Sequence, residues 1–405
     1  MSTIPFSPPR IDDEIVKEVN AALRSGWITT GPRTKQFEKE LSAFNGNAAT
    51  LCLNSATAGL EIMLRWFGVR EGDEVILPAY TYSATANVVM HCGAKPVLVD
   101  VDPVDFNIST AAIRKAITPA TKVVMPVDFA GLPCHYEAIM SLVNEGKVRD
   151  LFRPQSDEQR KLGRIMVLSD AAHSLGGFYR GKRTGTAADA SVFSFHAVKN
   201  LTTAEGGAIA LHLPPPFDND EIYKYLCILT LHGQNKDALA KMQKGNWKYD
   251  IITPGYKCNM TDLMAAIGLV ELRRYADDTL VKRRKVCEYY QRAFSGFDWA
   301  ELPLLKDDER ETSYHLYPLR IRNISEQQRD RIMQRIFDAD VNVNVHFIPL
   351  PMLSFYKNEG YRINDYPVTY DNFSREISLP VYYDLTDDQL SRVVHAVIDA
   401  VKSEK

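Results

Sequence analysis

Ser194-Phe195-His196-Ala197-Val198-Lys199-Asn200-Leu201-Thr202-Thr203-Ala204-Glu205-Gly206-Gly207 is the stretch on which the reading of this chain turns. Ahead of it, residues 190–195 form a short apolar run bounded by turn signals, which predicts a buried strand. Gly206-Gly207 permits a tight backbone turn, and residues 208–212 resume an apolar strand. Lys199 is therefore predicted on a short polar loop between two buried strands. Desolvation there lowers a lysine pKa toward the neutral, nucleophilic amine, and the chemistry this suggests is a Schiff base with an aldehyde. A loop lysine on its own is usually a solvated surface charge. The reading needs partners elsewhere in the chain.

Working outward, residues 49–212 alternate strand and helix. Apolar strand candidates fall at 50–54, 74–78, 96–101, 122–128, 165–169, 190–195 and 208–212, with amphipathic helices at 58–67, 83–91, 109–117 and 134–144. Val- and Ile-rich runs alternating with helices predict a largely parallel sheet covered on both faces, whose ligands bind beyond the carboxyl ends of its strands. Three features fall at such ends. Asn54-Ser55-Ala56-Thr57-Ala58-Gly59 suits a phosphate at a helix N-terminus, and equally an ordinary helix cap. Asp170, just after the run 165–169, is a carboxylate that a buried strand end would not leave unpaired. It suits the ring nitrogen of pyridoxal phosphate, and also a turn or an arginine partner. Tyr82 opens a helix and could lie against a planar ring, or simply pack.

Composition narrows the class. The 405 residues exceed one ordinary core, so two or three domains are expected. Hydrophobic content of 45% with 24% charged residues is that of a globular protein, and a net charge of −3 with interspersed signs leaves no basic footprint for nucleic acid. Six scattered cysteines lack CxxC or Cys/His metal spacing, so no metal is expected and reduced thiols point to the cytoplasm. The first twenty residues carry Pro, Asp and Glu instead of an apolar signal, and no apolar run is long enough for a membrane span.

Together these residues resemble the fold-type I pyridoxal phosphate enzymes and, more narrowly, the DegT group of nucleotide-sugar aminotransferases. Gly26-Trp27-Ile28-Thr29-Thr30-Gly31-Pro32, Ser55-Ala56-Thr57-Ala58-Gly59, Glu71-Gly72-Asp73-Glu74-Val75-Ile76, Asp170-Ala171-Ala172-His173, the lysine loop and Gly255-Tyr256-Lys257-Cys258-Asn259-Met260 carry the resemblance. Tyr314-His315-Leu316-Tyr317 and Ser378-Leu379-Pro380 extend it almost to the end of the chain. The fold it implies is α/β, with a mostly parallel seven-stranded sheet in a cofactor-binding domain over 1–260 and a smaller C-terminal α+β domain over 261–405. Lys199 would carry the cofactor as a Schiff base and move the substrate proton, and Asp170 would pair with the pyridine nitrogen. Tyr82 and Ala172 would flank the ring, with His173 near its hydroxyl. Thr57, Ala58 and Ser194 would hold the phosphate, with Asn259 reaching it from a second subunit of a homodimer. Trp27, Thr29, His315 and His346 would serve substrate binding; His346 also reads as an ordinary core histidine.

One departure from the family pattern is the polar stretch 145–164, expected to be a surface excursion with one helical turn. Beyond Asn259, an amphipathic pattern runs to about Phe294, strands are expected at 314–322 and 341–347, and helices open at the capping boxes Ser325-x-x-Gln328 and Thr386-x-x-Gln389.

Family members that replace the lysine with histidine are dehydratases, so Lys199 implies transamination. Glutamate would be the donor and a nucleotide-linked keto sugar the acceptor, in two ping-pong half-reactions. The loop His196-x-x-Lys199-Asn200-Leu201-Thr202-Thr203-Ala204-Glu205-Gly206-Gly207 resembles the C4-acting members, which serve bacterial surface glycans such as lipopolysaccharide or capsule. C4 of a UDP-linked sugar is the expectation. C3-acting members more often carry Tyr-Pro before the lysine and Gly-Asp-Gly-Gly after it. A regulatory or binding protein on this fold would lose Lys199 or Asp170, or add a basic helix-turn-helix. The 26–32 and 255–260 runs speak against an enzyme acting on amino acids alone.

Overall fold

The fold is described from a computed structural model over residues 3–236 and 248–404. The aliphatic runs between 49 and 211 assemble into one seven-stranded sheet. Its strands are Ala49–Leu53 (β1), Glu74–Pro78 (β2), Lys95–Val99 (β3), Thr121–Val124 (β4), Met166–Asp170 (β5), Ala190–Ser194 (β8) and Gly207–Leu211 (β9), in spatial order β1-β9-β8-β5-β4-β2-β3. The pairs from β3 through β8 are parallel, and β9 alone runs against its neighbours β8 and β1. Strands buried on both faces read as unbroken apolar runs, and β4, β5 and β9 are buried at every position. A side hairpin, Phe178–Tyr179 (β6) and Lys182–Arg183 (β7), pairs with Arg310–Glu311 (β11). Ala300–Glu301 (β10), Tyr317–Ile321 (β12) and Glu376–Leu379 (β13) form a separate antiparallel sheet. A second apolar core, with Tyr290, Phe294, Tyr317, Ile332 and Val397, lies against it. Both expected capping boxes are present, at Ser325 with Gln328 and Thr386 with Gln389. No helix among the described residues is long and apolar enough to cross a membrane.

Several expectations need correction. The fourth strand stops at Val124 because Pro126 has no N–H for the ladder, although Met125 still donates to Ile76 (2.7 Å). Residues 341–347 are not a strand: Asn344 exchanges two hydrogen bonds with Ser378 and Val341 meets Ile4, but no ladder continues. The long pattern after Asn259 is two helices, Asp262–Arg274 and Leu280–Phe294, joined by the π-helical turn Tyr275–Thr279. Residues after Pro32 carry no strong sequence signal, yet Pro32–Asn45 is a helix. Its N-terminal cap comes from Asp262, whose carboxylate accepts from the Gly31 (2.8 Å), Arg33 (3.0 Å) and Thr34 (2.9 Å) amides.

The stretch 145–164 is more than a surface excursion. It forms two short helices, Gly146–Leu151 and Asp157–Leu162. Val148 and Phe152 join the main core, and Gln159 is fully buried with its amide donating to the Phe67 carbonyl (3.0 Å). A buried amide satisfied in this way docks the segment on the end of the helix Ala56–Trp66.

Candidate active site

The carboxyl ends of the parallel strands open into a cleft of about 370 Å³. It is lined by Ser55, Thr57, Tyr82, Asp170, Ala172, His173, Ser194, Lys199, His315 and His346, among others. Residues as distant in sequence as Ser55 and His346 converge here, and β1, β2, β5 and β8 all end on this side of the sheet.

Asp170 is the last residue of β5 and is buried. Burial pushes its pKa up, opposed by the Thr85 hydroxyl donating to Oδ2 (2.8 Å), the Ala172 amide donating to Oδ1 (3.3 Å) and the nearby Lys199 charge. Lys199 hangs from the loop between β8 and β9, which closes on itself through Lys199 N–H to His196 (2.9 Å) and Thr203 N–H to Phe195 (2.9 Å). The side chain keeps some exposure to the cleft, but its surroundings desolvate the amine and push it down to about 8, with Asp170 pulling the other way.

Three imidazoles share the cleft with that amine. Burial, then repulsion from Lys199, takes His346 down to about 3; burial also holds His173 and His315 well below the usual range. All three are neutral, so none adds positive charge beside Asp170 and Lys199. His315 is held by Asn200 at 2.8 Å and packs on His173 at 4.3 Å between centroids. His173 Nδ1 is buried with no hydrogen-bond partner.

The opposite end of the cleft suits an anion. Ser55 caps the helix Ala56–Trp66, its hydroxyl accepting from the Ala58 amide (3.1 Å). Ala58 itself is outside the cleft lining, one residue behind Thr57. Gly207 of β9 lies so close that a Cβ there would sit 2.4 Å from the Ala56 nitrogen. Strand and helix N-terminus meet without an intervening side chain, leaving the helix amides and the hydroxyls of Ser55, Thr57 and Ser194 for a phosphate. Tyr82 opens the helix Ser83–His91 and is 62% exposed, with Phe347 5.9 Å from its ring. A second flat ring can therefore lie against it.

Other expected residues do not join the cleft of this chain. Trp27 folds over Gly31 and donates its indole N–H to the Thr30 carbonyl (3.1 Å). Thr29 accepts at its carbonyl from the Asp262 amide (3.0 Å). Asn259 donates to the Thr30 hydroxyl and accepts from Lys257. These two segments form one hydrogen-bonded unit beside β1, bridged at Leu53. Conversely, sequence reading missed Thr85, which lies one helical turn beyond Tyr82 on the same face, a spacing that could have flagged it. It also missed the N-terminal segment: Phe6 stacks on His346 at 5.5 Å, and the Ser7 hydroxyl donates to the Val198 carbonyl (3.2 Å). Nothing in a Pro-rich lead-in signals that placement.

A buried carboxylate facing a desolvated lysine, an unpaired buried imidazole nitrogen, an open aromatic face and an anion-ready helix end are what a phosphorylated pyridine aldehyde requires. The residues fit pyridoxal phosphate, and the site is that of a fold-type I pyridoxal phosphate enzyme. The chain belongs to the DegT/DnrJ/EryC1/StrS aminotransferase family, whose profile matches residues 9–151 and 157–398. The gap between the matched blocks falls inside the extra segment 145–164. The spore coat polysaccharide biosynthesis protein SpsC of Bacillus subtilis is 36% identical, over 98% of this chain and 97% of its own length. Spr1654 of Streptococcus pneumoniae, assigned as a sugar aminotransferase, superposes in its pyridoxamine phosphate form with a TM-score of 0.95 and 45% identity, over 99% of this chain and all of that one. Its pyridoxal phosphate form gives 0.94 at 43% identity, over 100% of both chains. PseC of Helicobacter pylori, an aminotransferase of pseudoaminic acid biosynthesis, gives 0.85 at 28% identity, over 99% of this chain and 100% of that one. The enzyme is thus an aminotransferase that uses pyridoxal phosphate.

Proposed function

We propose that this aminotransferase moves the amino group of glutamate to C4 of a UDP-linked 4-keto sugar, in the cytoplasm, for a surface polysaccharide. The observation that carries the aminotransferase chemistry is Lys199 lowered to about 8 beside the buried Asp170. The sugar class is supported by the similarity to SpsC and PseC, and the C4 preference by the lysine-loop sequence.

When bound, pyridoxal phosphate supplies an electrophilic carbon for amines and a conjugated ring that takes up electrons released at the substrate carbon. Lys199 Nζ, lowered to about 8, accepts in its neutral form the proton from the donor carbon and later returns one to the sugar carbon. Asp170, braced by Thr85, holds a positive charge at the ring nitrogen. Thr57, Ser194 and the amides at the start of the helix Ala56–Trp66 grip the phosphate, and Tyr82 and Ala172 orient the ring. His173 offers a neutral nitrogen to the ring hydroxyl. His315 and His346 line the substrate side.

The working unit is a homodimer in which Asn259, Trp27 and Thr29 serve the partner's cleft. Their segment is bound together but points no side chain into its own cleft, and Ile28 within it is 50% exposed. Mixing Lys199→Ala and Asn259→Ala proteins would then restore activity by pairing one intact site; no recovery after subunit exchange would count against sharing.

The primary test is spectroscopic. Glutamate added to the holoenzyme shifts its visible absorption toward the ultraviolet, and a UDP-4-keto sugar restores it. A spectrum unmoved by glutamate removes that donor, and restoration only by 3-keto sugars moves the chemistry to C3.

A further inference from the structure

Behind His346 lies a chain of hydrogen bonds that the reaction as described does not use. The imidazole Nδ1 is 2.9 Å from Ser378 Oγ, and the Ser378 hydroxyl contacts Glu376 Oε1 at 2.5 Å. The other carboxyl oxygen, Glu376 Oε2, accepts the His346 backbone N–H at 3.0 Å. Glu376 and Ser378 are fully buried on β13, and the imidazole lines the cleft. Its second nitrogen, Nε2, has no hydrogen-bond partner among the described residues.

Two proton arrangements satisfy all of these contacts. Oε2 already accepts from the His346 amide and faces no acceptor among the described residues, so a proton on Glu376 is satisfied on Oε1, where it points at Ser378 Oγ. Ser378 then turns its own hydrogen to His346 Nδ1, and the imidazole carries its proton on Nε2, a donor toward the cleft. With Glu376 ionised, Ser378 donates to Oε1 and accepts from Nδ1–H, leaving Nε2 as an acceptor. The imidazole is neutral in both arrangements.

We propose that Glu376 and Ser378 are positioning residues that set, by the protonation state of Glu376, whether His346 offers the substrate a hydrogen-bond donor or an acceptor. The effect on substrate rests on the function proposed above; the tautomer of His346 does not. Groups facing Glu376 come from every element around it: Arg329 from the helix Glu326–Asp338, Arg320 from β12, Tyr80 from the turn after β2, and His346 itself, with Lys199 facing His346 across the cleft. Arg329 pairs with Asp330 (2.7 Å) and donates to the backbone carbonyls of Phe373 (2.7 Å) and Glu376 (3.1 Å). Arg320 spends itself on Asn372, Pro103 and Glu301. Burial therefore outweighs both arginines and lifts the Glu376 carboxyl to about 8. Below that pH the donor form prevails, suited to a carboxylate or carbonyl oxygen; above it the acceptor form prevails, suited to a hydroxyl.

Nitrogen-15 NMR of the histidine-labelled, full-length protein, with and without cofactor, reads the tautomer directly. The wild-type His346 signals should exchange the protonated-nitrogen shift from Nε2 to Nδ1 as pH rises through about 8, without imidazolium formation. In Glu376→Gln the amide nitrogen takes the Oε1 place and donates to Ser378, so the Nε2–H form should persist at every pH. In Ser378→Ala the transition should vanish. A wild-type tautomer that does not change across this range, or one that changes equally in Ser378→Ala, overturns the proposal. The wild-type titration decides the question even where a variant fails to fold.

Discussion

The Thr85 hydroxyl donates to Asp170 Oδ2 at 2.8 Å, tying the first turn of the helix after Tyr82 to the end of β5. Both groups are buried, so the bond operates where water cannot substitute for it. Thr85→Val removes it with little change of shape. A hydrogen bond to a charged group is worth about 2 kcal/mol, so pyridoxal phosphate affinity should fall roughly thirtyfold. Cofactor titration followed by fluorescence checks this, and an unchanged affinity would mean that Thr85 contributes nothing to holding the carboxylate in its charged form.

The Lys199 amine carries a second prediction. Its pKa is lowered to about 8, so it is protonated below that pH and neutral above it. Capture of pyridoxal phosphate by the apoprotein should therefore accelerate as pH rises, with its midpoint at about 8. Stopped-flow absorbance gives the midpoint. A midpoint near that of an ordinary lysine, about 10.4, would show that the cleft does not desolvate the amine. Lys199→Ala should lose the cofactor's lysine-dependent visible band and reduce turnover by on the order of 10³-fold or more.

Gly207→Ala tests the phosphate end. The added Cβ would meet backbone, 2.4 Å from Ala56 N and 2.6 Å from Ser55 C, with no flexible side chain to yield. Overpacking of this kind costs about 1–3 kcal/mol. Thermal unfolding should show that loss, together with at least tenfold weaker cofactor binding. Wild-type affinity in a folded variant would place the phosphate elsewhere.

Gln159→Ala separates the extra segment from the chemistry. The side chain donates to the Phe67 carbonyl (3.0 Å) and accepts from the Gln155 amide (2.8 Å), and none of these three residues lines the cleft. Urea unfolding should show a loss of about 1–3 kcal/mol, with turnover at low temperature unchanged. A large drop in turnover of the folded variant would tie the segment to catalysis.

Much of the cleft was legible because its residues sit at junctions with strong local signals. Lys199 lies between two apolar strands before a glycine pair, Asp170 ends an apolar run, and Ser55 and Thr57 start a helix. The cleft joins them as those positions suggested. Thr85 was hidden because a threonine inside a helix has no distinctive local pattern. Phe6 and Ser7 were hidden because a Pro-rich lead-in says nothing about where it docks. Trp27, Thr29 and Asn259 read as site residues in the sequence but are held outside the cleft of their own chain by Thr30 and Asp262, a placement that depends on partners more than 220 residues apart in sequence.

By itself, the sequence determined the alternation of strand and helix, the caps of the later helices and the identity of the groups at the strand ends. Local propensity and hydrophobic period decide those, and they act over a few residues. Tertiary structure alone decided that Asp262 would cap a helix it does not belong to, that Gln159 would be buried, and that Glu376, Ser378 and His346 would form one chain of hydrogen bonds. Each of these depends on burying a polar group among partners far away in sequence, where the cost of leaving it unsatisfied, and not local preference, selects the arrangement.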